Sequence, residues 1–212
     1  MSVVPSKLEP LGESVLPVGY KKCAYLESTG TQWIDTGYKP NNHTQIGIRC
    51  YWVQKNVSDT CTCYTDWNTS GRGVSVGSVW NGGCVMTSYI CNKDYMLAPI
   101  VAGVWVYSAM NIQGKSVIET EDGVYKEAPF DAKSGGDFQL SITLPLFRGR
   151  SSGGLYGIAK CRCASLLVME YDKPIAHFVP VLDKGGVPCM FDTVRGKSFY
   201  NSGTGQFLYE LA

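Results

Sequence analysis

The chain has 212 residues, a net charge of +1 and only 17 % charged side chains, so it lacks the broad basic face of a nucleic-acid binder. No apolar run approaches the roughly 20 residues of a membrane helix, and the length allows a buried core without metals or disulfides. Twenty-four glycines and 12 % aromatic residues suit many short strands joined by turns, in one all-β domain.

Residues 1–17 carry Pro5, Pro10 and Pro17 with little apolar periodicity and are expected to form an extended tether. Residues 18–212 are then the domain. The opening residues lack the basic and apolar regions of a signal peptide. Residues 22–27 and 32–35 are expected strands around the turn Ser28-Thr29-Gly30. In residues 45–53, Ile46, Ile48, Cys50 and Trp52 fall on one face. Gln45, Gly47, Arg49 and Tyr51 fall on the other, the alternation of a strand with one buried face. Residues 73–80 and 83–90 flank Asn81-Gly82, a hairpin signal. Residues 102–110 and 115–121 flank a second hairpin at 111–114. Residues 139–146 alternate through Leu140, Ile142 and Leu144. The run Leu166-Leu167-Val168-Met169 is apolar on both faces, as in a central strand. A turn at 171–174 leads to a strand at 176–181, and a short helical turn is expected within 128–136. Trp33, Trp52 and Trp105 are assigned to the core.

Nine cysteines cannot all pair. Cys161 and Cys163 share a strand face, and Cys61-Thr62-Cys63 has the same spacing. One intervening residue fits a zinc site poorly. The leading reading is reduced, buried thiols acting as small apolar residues, with some disulfides as the alternative.

Catalytic patterns are absent. A glycosidase of β-sandwich type needs carboxylates on one strand face at a spacing close to Glu-x-Asp-x-x-Glu, two of them acting as nucleophile and acid. The nearest approach, Glu170-Tyr171-Asp172, has Ile175 where a third carboxylate should stand, and it falls on a turn. Glu119, Glu121 and Asp122 sit at a hairpin end. Both groups are read as solvated. His43 lies in the polar turn Asn41-Asn42-His43, and His177 is read as a strand surface residue. There is no nucleophile elbow and no phosphate-binding glycine loop. Arg148-Gly149-Arg150 is read as a solvated turn.

Two stretches carry a resemblance. The first is Leu16-Pro17-Val18-Gly19-Tyr20 with Tyr25-Leu26-Glu27-Ser28-Thr29-Gly30-Thr31-Gln32-Trp33-Ile34-Asp35-Thr36-Gly37-Tyr38. The second runs from Phe178-Val179-Pro180-Val181 through Phe191-Asp192-Thr193-Val194-Arg195-Gly196-Lys197 to Phe199-Tyr200-Asn201-Ser202-Gly203-Thr204-Gly205-Gln206-Phe207. Together they resemble the laminin-G-like, concanavalin A-like modules of gut bacteria and their phages. The resemblance implies an antiparallel, two-sheet jelly-roll sandwich with its terminal strands close together. It says little about ligand. The chain departs from the family pattern at His177, at Lys173-Pro174 in place of an Asn-Gly turn, and at Cys161 and Cys163.

A sugar site needs an aromatic platform with amide or carboxylate groups beside it. Trp67 with Asp66 and Asn68, and Trp80 with Asn81, meet that requirement near strand ends, where loops carry function. Some laminin-G-like modules bind calcium through Asp and backbone oxygens. Asp35, Asp59, Asp66 and Asp192 are the corresponding candidates, although Asp35 and Asp192 could instead fix turns. The expected function is a non-catalytic module that recognises a polysaccharide or glycoprotein glycan at a bacterial cell surface or virion. The alternative is a structural or protein-interaction module contacting another surface or virion protein. No nucleic-acid or membrane partner is expected, and a cytoplasmic location stays open.

Overall fold

The computed structural model describes residues 16–53, 61–65, 73–80, 85–90, 93–99, 103–129, 137–151 and 153–212. Residues 1–15 of the expected tether and most of the expected helical turn lie outside them. Ala128, at the start of that turn, belongs to a strand instead.

The chain is all-β. Among the described residues it forms eighteen strands, β1 to β18 in chain order, and no helix long and apolar enough to cross a membrane. The largest sheet runs β10 (Tyr125–Pro129), β9 (Lys115–Thr120), β8 (Trp105–Ile112), β3 (Thr44–Trp52), β14 (Lys160–Glu170), β1 (Lys21–Thr29), β15 (Lys173–Leu182), β16 (Pro188–Asp192) and β17 (Lys197–Phe199). Strand β18 (Leu208–Leu211) adds to β1. A six-stranded sheet runs β13 (Gly154–Ile158), β12 (Arg148–Ser151), β4 (Cys61–Thr65), β5 (Val74–Trp80), β6 (Val85–Ile90) and β7 (Lys93–Pro99). β2 (Ile34–Asp35) pairs with β11 (Pro145–Leu146). Neighbouring strands are antiparallel except β4 and β12.

Alternation explains the central strands. Ile46, Ile48, Cys50 and Trp52 of β3 are buried while Arg49 is exposed. Cys50 lies opposite Cys163 and Ile48 opposite Leu166. Strand β14 has β3 on one side and β1 and β15 on the other, and its run Leu166 to Met169 is buried on both faces. Leu26, Ile48, Leu166 and Phe178 join Cys63, Val74 and Val76 of the six-stranded sheet in one apolar cluster. Each such large side chain contributes about 1.5–3 kcal/mol on burial. A second cluster of Val179, Val181, Cys189 and Phe191 is packed by Leu16 and Tyr20.

Of the cysteines whose side chains are described, 23, 50, 63, 163 and 189 are free thiols, and these and Cys161 are buried. Burial pushes up the thiols of Cys50, Cys63 and Cys163, and those of Cys23 and Cys189 to about 11. They therefore stay protonated at neutral pH and pack as apolar residues.

Four expectations are corrected. Residues 139–146 do not form a strand throughout. Leu140 and Leu144 are buried as their alternation requires, but their N–H groups bond the carbonyls of Pro40 and Tyr38, and only Pro145–Leu146 is a strand. Arg148-Gly149-Arg150 is not a solvated turn but lies in β12, where Arg150 donates to Asp35. The reversal after β14 is Tyr171-Asp172, since Glu170 pairs with Lys173, so Lys173 and Pro174 already belong to β15. His177 is not a surface residue. Only 4 % of it is exposed, because β15 passes between β14, where Leu167 faces it, and the Asp192–Thr193 corner.

Burial pushes the His177 imidazole below its ordinary value, against the opposing pull of the Asp192 carboxylate. Such a group contributes stability that is present above its unfolded value of about 6.5. That stability is lost as pH falls through the folded value, because the unfolded chain binds the extra proton. Urea midpoints are therefore expected to fall between about pH 7 and pH 5. His177→Gln should flatten that slope, and a slope unchanged in the variant would exclude His177 as its source.

Candidate functional site

Asp66, Trp67, Asn68 and Asn81, together with Asp59, lie outside the described residues. Trp80 ends β5, and its backbone alone is described. Apart from the Trp80 backbone, the two expected tryptophan sites therefore lie outside the described residues.

The calcium candidates that are described hold turns. Asp35 accepts from the Gly37 N–H at 3.0 Å and from Arg150 at 2.8 Å. Burial pushes its carboxyl up, but hydrogen bonds from Thr143, the Gly37 amide and Arg150 outweigh this and hold it below its ordinary value. Asp192 accepts the N–H groups of His177, Val194 and Arg195, and the Arg195 guanidinium. Among the described residues, no group of three or more His, Cys, Asp or Glu could hold a metal ion.

Two other clusters stand out. The first crosses the largest sheet on the face opposite the core. Trp105 lies opposite Tyr51, Tyr51 opposite Arg162, and Arg162 opposite Glu27, so one row spans four adjacent strands. At about 4.8 Å between strands the row is roughly 14 Å long. Arg162 donates to Glu27 at 2.7 Å and rests over the rings of Tyr25 and Tyr51, 4.5 and 5.0 Å from their centroids. The Arg49 guanidinium lies 5.2 Å from the Trp105 ring centroid. Tyr25 and Tyr51 lie tilted against Trp105, at 6.1 and 5.6 Å. These rings are half-buried, and Arg49 is exposed. Cation–π contacts and the ion pair fix the side chains. The guanidinium and carboxylate edges can then meet hydroxyl groups, and Trp105 offers apolar ring surface. Trp105 therefore stands outside the core to which the sequence assigned it, whereas Trp52 is buried in it and Trp33 packs against it. The cue lay in the second phase of β3, where Arg49 and Tyr51 alternate with the buried residues.

The second cluster sits at one end of the same sheet. The Tyr38 hydroxyl and the Asn41 amide donate to Glu170 at 2.7 and 2.9 Å. Glu170 is thus half-buried and held in place, not solvated as expected, whereas Glu121 and Asp122 are exposed as expected. Beside Glu170, the His43 and Tyr171 rings stack at 4.2 Å.

No protein-family model and no curated protein matches the sequence. Among solved structures, the fold is similar to that of a "putative carbohydrate binding protein" from Bacteroides ovatus, with a TM-score of 0.55 and 10 % identity over 90 % of this chain. The chain spans 60 % of that protein's length. At this identity the likeness shows the fold alone.

Proposed function

We propose that this chain is a non-catalytic glycan-binding module, a concanavalin A-like jelly-roll of two sheets displayed at a bacterial or phage surface. The observation that carries the reading is the row from Trp105 through Tyr51 and Arg162 to Glu27. It supplies what an extended sugar chain needs: apolar ring surface for C–H groups, with fixed donors and an acceptor for hydroxyls. The likeness to the Bacteroides ovatus protein supports it, because that protein's description names carbohydrate binding. Trp67 with Asp66 and Asn68, and Trp80 with Asn81, are proposed as further sugar contacts. Residues 1–17 are proposed as the tether.

A glycan array with purified protein tests the reading. The wild type is expected to retain at least one polysaccharide or mucin-type glycan. Trp105→Ala should weaken that binding about tenfold, the equivalent of roughly 1.4 kcal/mol, with unchanged circular dichroism. Undiminished binding by the variant would remove the sheet face as the site, and an array with no bound glycan would remove the function.

One observation favours a second reading, a protein-interaction module. Strand β18 pairs only with β1 among the described strands and exposes Leu208, Tyr209 and Leu211. Exposed apolar edges invite pairing with another chain. Sedimentation separates the two readings: a strictly monomeric, glycan-binding protein excludes the second.

A further inference from the structure

The hairpin between β14 and β15 turns through only Tyr171 and Asp172. Both lie in the left-handed region, with φ of 50° and 60°. Two-residue hairpin loops need that conformation, and Asn-Gly supplies it with the least strain. For a bulky aromatic residue the same conformation is an outlier. Buried packing does not offset it, because 65 % of Tyr171 is exposed. Backbone strain at an aromatic residue left this exposed points to a role for the side chain itself.

The surroundings hold that ring in place. The His43 ring stacks on Tyr171 at an interplanar angle of 27°. Gln45 clamps the next residue from both sides: its Nε2 donates to Asp172 Oδ1 at 2.7 Å, and its Oε1 accepts the Asp172 N–H at 2.8 Å. The same Nε2 also donates to the Asn111 carbonyl at 2.9 Å. The His43 N–H donates to Asn41 Oδ1, and Asn42 Nδ2 lies 3.1 Å from His43 Nε2 while donating to Asp137 at 3.0 Å. One face of Tyr171 is therefore backed by a second ring, the exposed carboxylate of Asp172 is on the adjoining residue, and the exposed Asp137 carboxylate reaches the His43 side through Asn42. Glu170 adds a third. Among the described residues, none of the three carboxylates forms an ion pair.

We propose that Tyr171, backed by His43, is a glycan subsite for a neutral pyranose ring. The C–H face of the sugar stacks on the open side of Tyr171, and its hydroxyls donate to the exposed carboxylate of Asp172 on the adjoining residue. Ionised carboxylates only accept hydrogen bonds, so the ligand must bring the donors. A sugar carrying its own carboxylate meets like charge here. The proposal rests on the glycan-binding reading and adds a second contact point and a ligand class to it.

Tyr171→Asn separates strain from binding. Asparagine tolerates the left-handed conformation far better than tyrosine, so Tm is expected to rise by roughly 2–4 °C. Binding to galactomannan and β-glucan as neutral probes is expected to fall about tenfold or more. Tyr171→Phe keeps the stack and should bind within about threefold of wild type. A Tyr171→Asn protein that binds the neutral probes as tightly as wild type overturns the subsite. Equal wild-type affinity for polygalacturonate at low salt overturns the ligand class. If wild type binds none of the probes or the wider array, the failure belongs to the glycan-binding reading itself, not to the placement of this subsite.

Discussion

Asp192→Ala is expected to remove about 3 kcal/mol of stability, the lower end of the scale for breaking a buried ion pair, because Arg195 is about a third exposed. The Asp192 carboxylate is wholly buried at the end of β16. It accepts the N–H groups of His177 and Val194 at 3.0 Å and of Arg195 at 3.3 Å, and the Arg195 Nε. Arg195 also donates to the Thr36 carbonyl at 3.2 Å and lies over the rings of Phe178 and Phe199. Asp192 thus ties β15 to the corner after β16, and through Arg195 to the segment following β2. Alanine would leave three backbone N–H groups without that acceptor, at a desolvation cost that grows with their burial, while the Arg195 guanidinium keeps the Thr36 carbonyl and its contact with water. Asp192→Asn keeps the shape and one acceptor oxygen, so its loss should be smaller. Asp192→Ala combined with Arg195→Ala should cost less than the sum of the two single changes. Urea unfolding measures all of these, and a loss below about 1 kcal/mol for Asp192→Ala would remove this carboxylate as the tie.

Gly203→Ala is expected to cost about 3 kcal/mol, at the upper end of overpacking effects. A Cβ at residue 203 would stand 2.0 Å from the Thr31 carbonyl oxygen and 2.9 Å from Trp33 Cδ1. Neither can easily retreat. The Thr31 carbonyl accepts the Thr204 N–H at 3.2 Å, and the Trp33 carbonyl accepts that of Ser202 at 2.8 Å. Asn201 Oδ1 takes the N–H groups of Trp33 and of Gly203 itself. In a domain of this size that loss lowers Tm by roughly 6–12 °C. Gly196→Ala is the control. Its φ of 65° strains alanine, but nothing lies within 4 Å of the added carbon, so only the left-handed cost of about 1–2 kcal/mol remains. Equal losses at the two glycines would disprove the clash at 203.

Much of the fold was legible where one residue in two is apolar. Strand β3 needed only its alternation, and the β8–β9 hairpin is marked by Asn111 and Gly114, both left-handed. Alternation failed at residues 139–146 because side-chain burial and ladder pairing are separate demands. Leu140 and Leu144 meet the first by docking their backbone on residues 38 and 40. It failed differently at Trp105, since period two separates two faces without saying which is the core. His177 owes its burial to strands that arrive before and after it. The candidate site was less legible. Of its expected tryptophans, Trp67 falls outside the described residues and Trp80 is described in its backbone alone, and the role of Tyr171 depends on a backbone angle and a stack with His43. The sequence offered one cue for it, a bulky residue in a tight turn.

The central position of β1 has a consequence for how the chain reaches this state. Leu26 waits for Cys163, Lys22 for Val181, and Glu27 for Leu208. During synthesis β1 emerges early and stays unpaired until most of the domain has followed. Closing such distant pairs is entropically costly and slow. Through that interval its edges are open to the wrong chain. Yield from a rapid expression host is then a matter of kinetics, set by how long an orphan strand must stay soluble.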